Sequence, residues 1–101
     1  MFKNPRYLTR GVQHDIPVNV QIMLWQLIDK FVVSGTTVDY LQVFVLTAKG
    51  TADYPLQHVV HSQEQPDYKM EYVAECRNPV TAKIYCIDDS VQSTMLLAEE
   101  Y

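Results

Sequence analysis

His58 and His61 are the residues in this chain that most invite a chemical reading, because imidazoles are common metal ligands. They stand three apart in a run that reads as a strand, so they point to opposite faces and cannot share one ion. His14 and Asp15 could pair as acid and base, but sequence neighbours do not face each other and Asp15 is better placed to cap a helix. Asp88 and Asp89 resemble a paired carboxylate of the kind that holds a divalent cation when other oxygens converge. Ser90 and Gln92 are weak ligands, however, and two short acids suit a turn. The hydroxyls of Ser90, Ser93 and Thr94 lack the G-x-S-x-G setting of a nucleophile and have no following histidine. The 3 glycines are too scattered to cradle a phosphate. Cys76 and Cys86 lie ten apart without a C-x-x-C or a flanking histidine, which reads as two reduced thiols. The sequence therefore supplies no catalytic residue, no cofactor-binding residue and no metal-ligand set, and neither cofactor nor metal is expected.

The elements that would position such residues can be read from periodicity. Arg6 to Arg10 reads as a short first strand that stops at Gly11. Asp15 as cap and Pro17 in the first turn open the one convincing helix. Its apolar period runs through Val20, Leu24, Leu27, Ile28 and Phe31 until Ser34-Gly35 ends it. Strands follow over Tyr40 to Ala48, Leu56 to Gln63, Tyr68 to Val73, Val80 to Ile87 and Thr94 to Glu99, separated by turn residues. In the first of these, Leu41, Val43 and Val45 share one side and Tyr40, Gln42, Phe44 and Leu46 the other. Short connections favour antiparallel neighbours. The expected architecture is α+β: residues 1–101 as a single domain, with one amphipathic helix packed on a five- or six-stranded, mainly antiparallel sheet.

Composition narrows the classes of function. A chain of 101 residues should fold to roughly 5,900 Å² of surface around one core. A net charge of −4 is the wrong sign for neutralising phosphates, so no nucleic acid is expected. Lys3, Arg6 and Arg10 precede the first acid, Asp15, and read as a solvated strand edge that discourages strand addition. No apolar stretch approaches the ~20 residues of a membrane span. Met1 to Arg6 does not resemble a secretory leader, and the cytoplasm is the expected compartment.

The helix has more apolar surface than one sheet can use. Opposite its core stripe, Val18, Ile22, Trp25 and Val32 gather around Asp29. Either the N-terminal segment or the linker from Val33 to Asp39 folds over this second stripe, or it forms a contact surface with Trp25 as anchor. Seven tyrosines against three phenylalanines fit an interface as well as they fit a half-buried sheet.

Five segments carry a family resemblance: Arg6-Tyr7-Leu8-Thr9-Arg10-Gly11-Val12, Trp25-Gln26-Leu27-Ile28-Asp29, Asp39-Tyr40-Leu41-Gln42-Val43-Phe44, Thr81-Ala82-Lys83-Ile84 and Ser93 to Tyr101. Together they are similar to the small Gram-positive bacterial proteins catalogued as domain of unknown function 960. The resemblance implies a bacterial cytosolic protein of this size and transfers no activity to any residue.

Two functions remain. The first is a non-catalytic protein-interaction module, meeting a protein partner or itself, as a homodimer through Val18, Ile22, Trp25, Asp29 and Val32. The second is a small enzyme or ligand-binding protein that uses Asp88, Asp89 or His14 in a pocket between helix and sheet. A nucleic-acid mimic would need clustered acids, and here they are scattered.

Overall fold

A computed structural model describes residues 1–101. In chain order the elements are β1 (Arg6–Leu8), α1 (Arg10–Asp15), α2 (Val18–Val33), β2 (Leu41–Gly50), β3 (Pro55–Gln63), β4 (Tyr68–Glu75), β5 (Ala82–Asp88) and β6 (Ser93–Leu97), closed by a 3-10 turn over Ala98–Glu100. Its surface of 6151 Å² is close to the area expected from chain length.

α2 forms where the apolar period places it, and it ends where Gly35 takes a φ of 84°, a conformation that Gly adopts without steric cost. Its beginning differs from expectation. Asp15 does not cap it; Asp15 is the last residue of α1, and the residue before α2 is Pro17, whose carbonyl accepts from Val20 and Gln21. The sequence signal for α1 is Thr9, whose hydroxyl accepts the Val12 N–H as an N-cap. Gly11 belongs to this helix rather than ending a strand, and its lack of a Cβ has a local cause: a Cβ there would lie 2.6 Å from the Glu100 carboxylate. Buried Gln21 joins the two helices by donating to the carbonyl of Ile16 at 2.8 Å.

The sheet has six strands in the order β1-β6-β5-β2-β3-β4. It is mixed: β1 runs parallel to β6, and every other neighbouring pair is antiparallel. Of the expected five or six strands the count is six, and the mainly antiparallel sheet carries one parallel pair that makes it mixed. A parallel neighbour needs a long crossover, which the chain supplies by making β1 and β6 its outermost strands in sequence.

One sheet face meets the helices. Val20, Leu24, Ile28 and Phe31 of α2 pack with Phe44, Leu46, Val59, Ile84, Met95 and Leu97 of the sheet, and Phe2, Val12 and Ile16 complete the core. The same face buries polar side chains at its ends. Gln57 accepts from the Val80 N–H and donates to the Val80 carbonyl, clasping the segment before β5. Gln63 accepts from the Asp39 N–H and from Gln42, and donates to the carbonyls of Thr37 and Pro66. Each glutamine thus replaces with hydrogen bonds the cover that a second helix would have given.

His61 sits within this network, fully buried, stacked on Phe44 at 4.5 Å and edge-on to Phe31 at 5.3 Å. Gln42 spends its amide N–H groups on Gln63 and the Asp39 carbonyl, so its oxygen accepts from His61 Nε2 at 2.6 Å. Nδ1 is then left without a partner. Burial lowers the His61 pKa to about 4. The unfolded chain therefore takes up this proton first, and the stability contributed by neutral His61 is complete above about pH 6.5 and declines as pH falls toward 4. The expected loss over that window is about 3 kcal/mol. Urea denaturation of wild type and His61→Gln between these pH values should show the slope in the first and a flatter line in the second. Equal slopes would exclude His61 as the cause.

Candidate functional site

The residues with potential chemistry are dispersed. His58 and His61 face opposite sides of the sheet; His58 Nε2 lies 2.5 Å from Glu71 on the outer face, and His61 is in the core. His14 and Asp15 do meet, contrary to expectation, with Nδ1 and Oδ1 2.7 Å apart, but both are exposed at the end of α1 with no third group to orient them. No group of three or more His, Cys, Asp or Glu side chains gathers as a metal site would require. Cys76 and Cys86 are both free and buried, and burial pushes the Cys86 thiol far up, leaving it without thiolate character.

Asp88 and Asp89 separate by role. Asp88 accepts from the Phe2 N–H at 2.6 Å, from Asn4 at 2.9 Å and from the Ser90 N–H at 2.7 Å. Burial works to raise its carboxyl, but these donors and the N-terminal ammonium outweigh it and hold it below the ordinary value. Asp89 accepts from the N–H groups of Val91 and Gln92, which shapes the turn into β6. A shallow hollow of about 610 Å³ adjoins both acids, yet the inner carboxylate is already committed to the N-terminal segment.

The second helix stripe is only partly open. Val18 is 66% exposed and Ile22 50%, whereas Trp25 and Val32 are half-buried against the core. Arg6 of β1 reaches over this stripe: its guanidinium stacks 4.7 Å from the Trp25 ring centre and forms an ion pair with Asp29. Arg6 is therefore not a free edge charge, and the N-terminal segment covers the Trp25 and Asp29 part of the expected surface. The buried arc of α2 is correspondingly turned toward Trp25, with Gln21 inside it and Leu27 at its half-buried margin.

A second apolar surface lies on the outer sheet face, where no helix packs. Leu41, Val43 and Val45 of β2 alternate with buried Gln42, Phe44 and Leu46, so both faces of this central strand are apolar. Across it, Val60, Val73, Tyr85, Ile87 and Leu96 extend the same surface, Val73 being 58% exposed. Antiparallel sheets with one solvated face normally alternate apolar inside with polar outside. Here Gln42, Gln57 and Gln63 share the inner face with Phe44, Leu46 and Val59, while Val43, Val45 and Val60 face outward. The alternating pattern of the Tyr40 to Ala48 run contained this signal, but periodicity alone does not say which side the helix covers.

These observations define a two-layer α+β protein with a mixed six-stranded sheet, one main helix and one uncovered sheet face. The chain belongs to the family described as staphylococcal protein of unknown function (DUF960), whose model matches residues 5–100. A crystal structure of a protein of unknown function from Enterococcus faecalis is similar in fold, with a TM-score of 0.76 and 22% identity over 97% of this chain and 91% of that one. Among curated proteins, none matches the sequence. No helix is long and apolar enough to cross a membrane.

Two substitutions test the contacts that absorb the candidate residues. Arg6→Ala should red-shift the emission of Trp25, the only tryptophan, and lower stability by about 1 kcal/mol. An unchanged spectrum would show that Arg6 does not shield the ring in solution. Asp88→Ala should cost about 2 to 4 kcal/mol in urea denaturation, since it leaves the Phe2 N–H buried without an acceptor. A cost of a few tenths would show that the N-terminal clamp is not formed.

Proposed function

We propose that this chain is a non-catalytic protein-interaction module of the bacterial cytoplasm, and that the uncovered face of the sheet is its principal contact surface. The observation that carries this reading is that β2 and β3 are apolar on both faces: Phe44, Leu46 and Val59 are buried beside Gln42, Gln57, His61 and Gln63, while Val43, Val45 and Val60 face outward with no helix over them. Outward valines on a central strand make sense for a face that gains a cover. The helix stripe of Val18, Ile22, Trp25, Asp29 and Val32 is the smaller candidate, because Arg6 occupies its centre. A net charge of −4 argues for a protein partner over a nucleic acid.

The alternative, a ligand site between helix and sheet, has one observation in its favour. A hollow of about 380 Å³ opens beside the end of α2, lined by Phe31, Tyr68 and Tyr72 with Lys30 across the Tyr72 ring. Its lining has no carboxylate, and the Ser34 hydroxyl in it donates to the Phe31 carbonyl.

A photo-crosslinking amino acid placed in living cells at Val45, at Ile22 and at Tyr72 separates the readings. Protein adducts of defined mass from Val45 are expected, with fewer from Ile22. No protein adduct at Val45, or a small molecule captured at Tyr72, would overturn the interaction reading.

A further inference from the structure

We infer that the outer sheet face docks on a second copy of this chain, sheet against sheet, about a two-fold axis that runs parallel to the strands between β2 and β3. This rests on the reading of that face as an interaction surface and names its partner. The argument comes from one cross-strand row. Register aligns Lys83 on β5, Val45 on β2, Val60 on β3 and Glu71 on β4, all directed outward. The row reads positive, apolar, apolar, negative. A self-complementary contact needs a pattern of opposite sign about its own midpoint, and this row has it between Val45 and Val60.

Turning a second copy about that midpoint lays its β3 over β2 and its β4 over β5. Each Val45 then meets Val60 of the other copy, and each Lys83 meets Glu71 of the other copy, so both contacts occur twice. In the next row Tyr85, Val43, Ser62 and Lys69 are aligned, and the rotation brings Val43 over Ser62 of the second copy and Lys69 of the second copy to the side of Tyr85, whose ring Tyr101 of its own chain meets edge-on at 5.3 Å. Stacked sheets cross at about 30°, which displaces groups this near the axis by less than the reach of a lysine or glutamate side chain. Lys83 and Glu71 are both exposed: Glu71 meets His58 of its own chain through one oxygen, Oε2 at 2.5 Å, with its side chain still 68% exposed and Oε1 open to the second copy, and the Lys83 ammonium lies over the Tyr85 ring 5.6 Å from its centre. They stand three strands apart, about 14 Å, so they cannot pair within one chain.

That separation makes a charge reversal decisive. Sedimentation equilibrium is measured on wild type, Lys83→Glu, Glu71→Lys and the double variant, with circular dichroism confirming that all four fold. Wild type should dimerise, each single reversal should raise the dissociation constant about tenfold or more, and the double variant should recover most of that loss. Recovery cannot come from an intrachain pair. A wild type that stays monomeric at high micromolar concentration overturns the second copy, while Val45 adducts with other proteins would keep the interaction reading alive. A dimer that the double reversal does not restore overturns the docking geometry.

Discussion

One helix cannot cover six strands, and most of this structure follows from that mismatch. A helix with its side chains is about 10 to 12 Å across, while six strands span about 24 Å. α2 therefore shields the middle of one face only. At the flanks, α1 and Phe2 fill in on one side, and the bonded glutamines on the other close the sheet to the loops after α2 and before β5. The opposite face receives no helix, which is why its apolar residues remain at the surface.

The two chain ends form the second organising unit. β1 pairs with β6, Asp88 holds Phe2 and Asn4, and Glu100 accepts from the Thr9 hydroxyl and from the N–H groups of Gly11 and Leu97. Those donors, Thr9 foremost, keep the Glu100 carboxyl below its ordinary value. The opening and closing segments that carry the family resemblance are thus in contact, and they are constrained together. The same unit sends Arg6 across α2 to Trp25 and Asp29, linking the edge of the sheet to the outer side of the helix.

Much of this was legible in local pattern. The stripe from Val20 to Phe31 and the Ser34-Gly35 stop locate α2, and the turn residues separate the strands within a residue or two of their ends. Pairing order was not legible, because alternation assigns a residue to a face and says nothing of which strand lies beside it. For that reason the parallel contact of β1 with β6 does not appear in the sequence. α1 was masked because Gly11, read as a strand stop, answers to a carboxylate 89 residues away. Trp25 falls on the second stripe of α2 by helical period, but it packs half-buried against the core under Arg6, a contact no helical period can reveal. The alternation puts Gln42 on the side of Phe44 and Leu46 without saying that this side is the covered one, and only the hydrogen-bond partners of Gln42 and Gln57 explain their burial.

The parallel pairing of β1 with β6 also sets the order in which the molecule can be built. During synthesis, Arg6–Leu8 leaves the ribosome early but has no strand to join until Ser93–Leu97 is made. At roughly 5 to 20 residues per second, the first strand waits several seconds. In that interval the hairpins of β2, β3 and β4 can close from local contacts, while the groups that β1 and Phe2 later cover stay open. Completion of the sheet is therefore a late event of high contact order, and chaperones would meet this chain with its valine face and its unfinished edge both exposed.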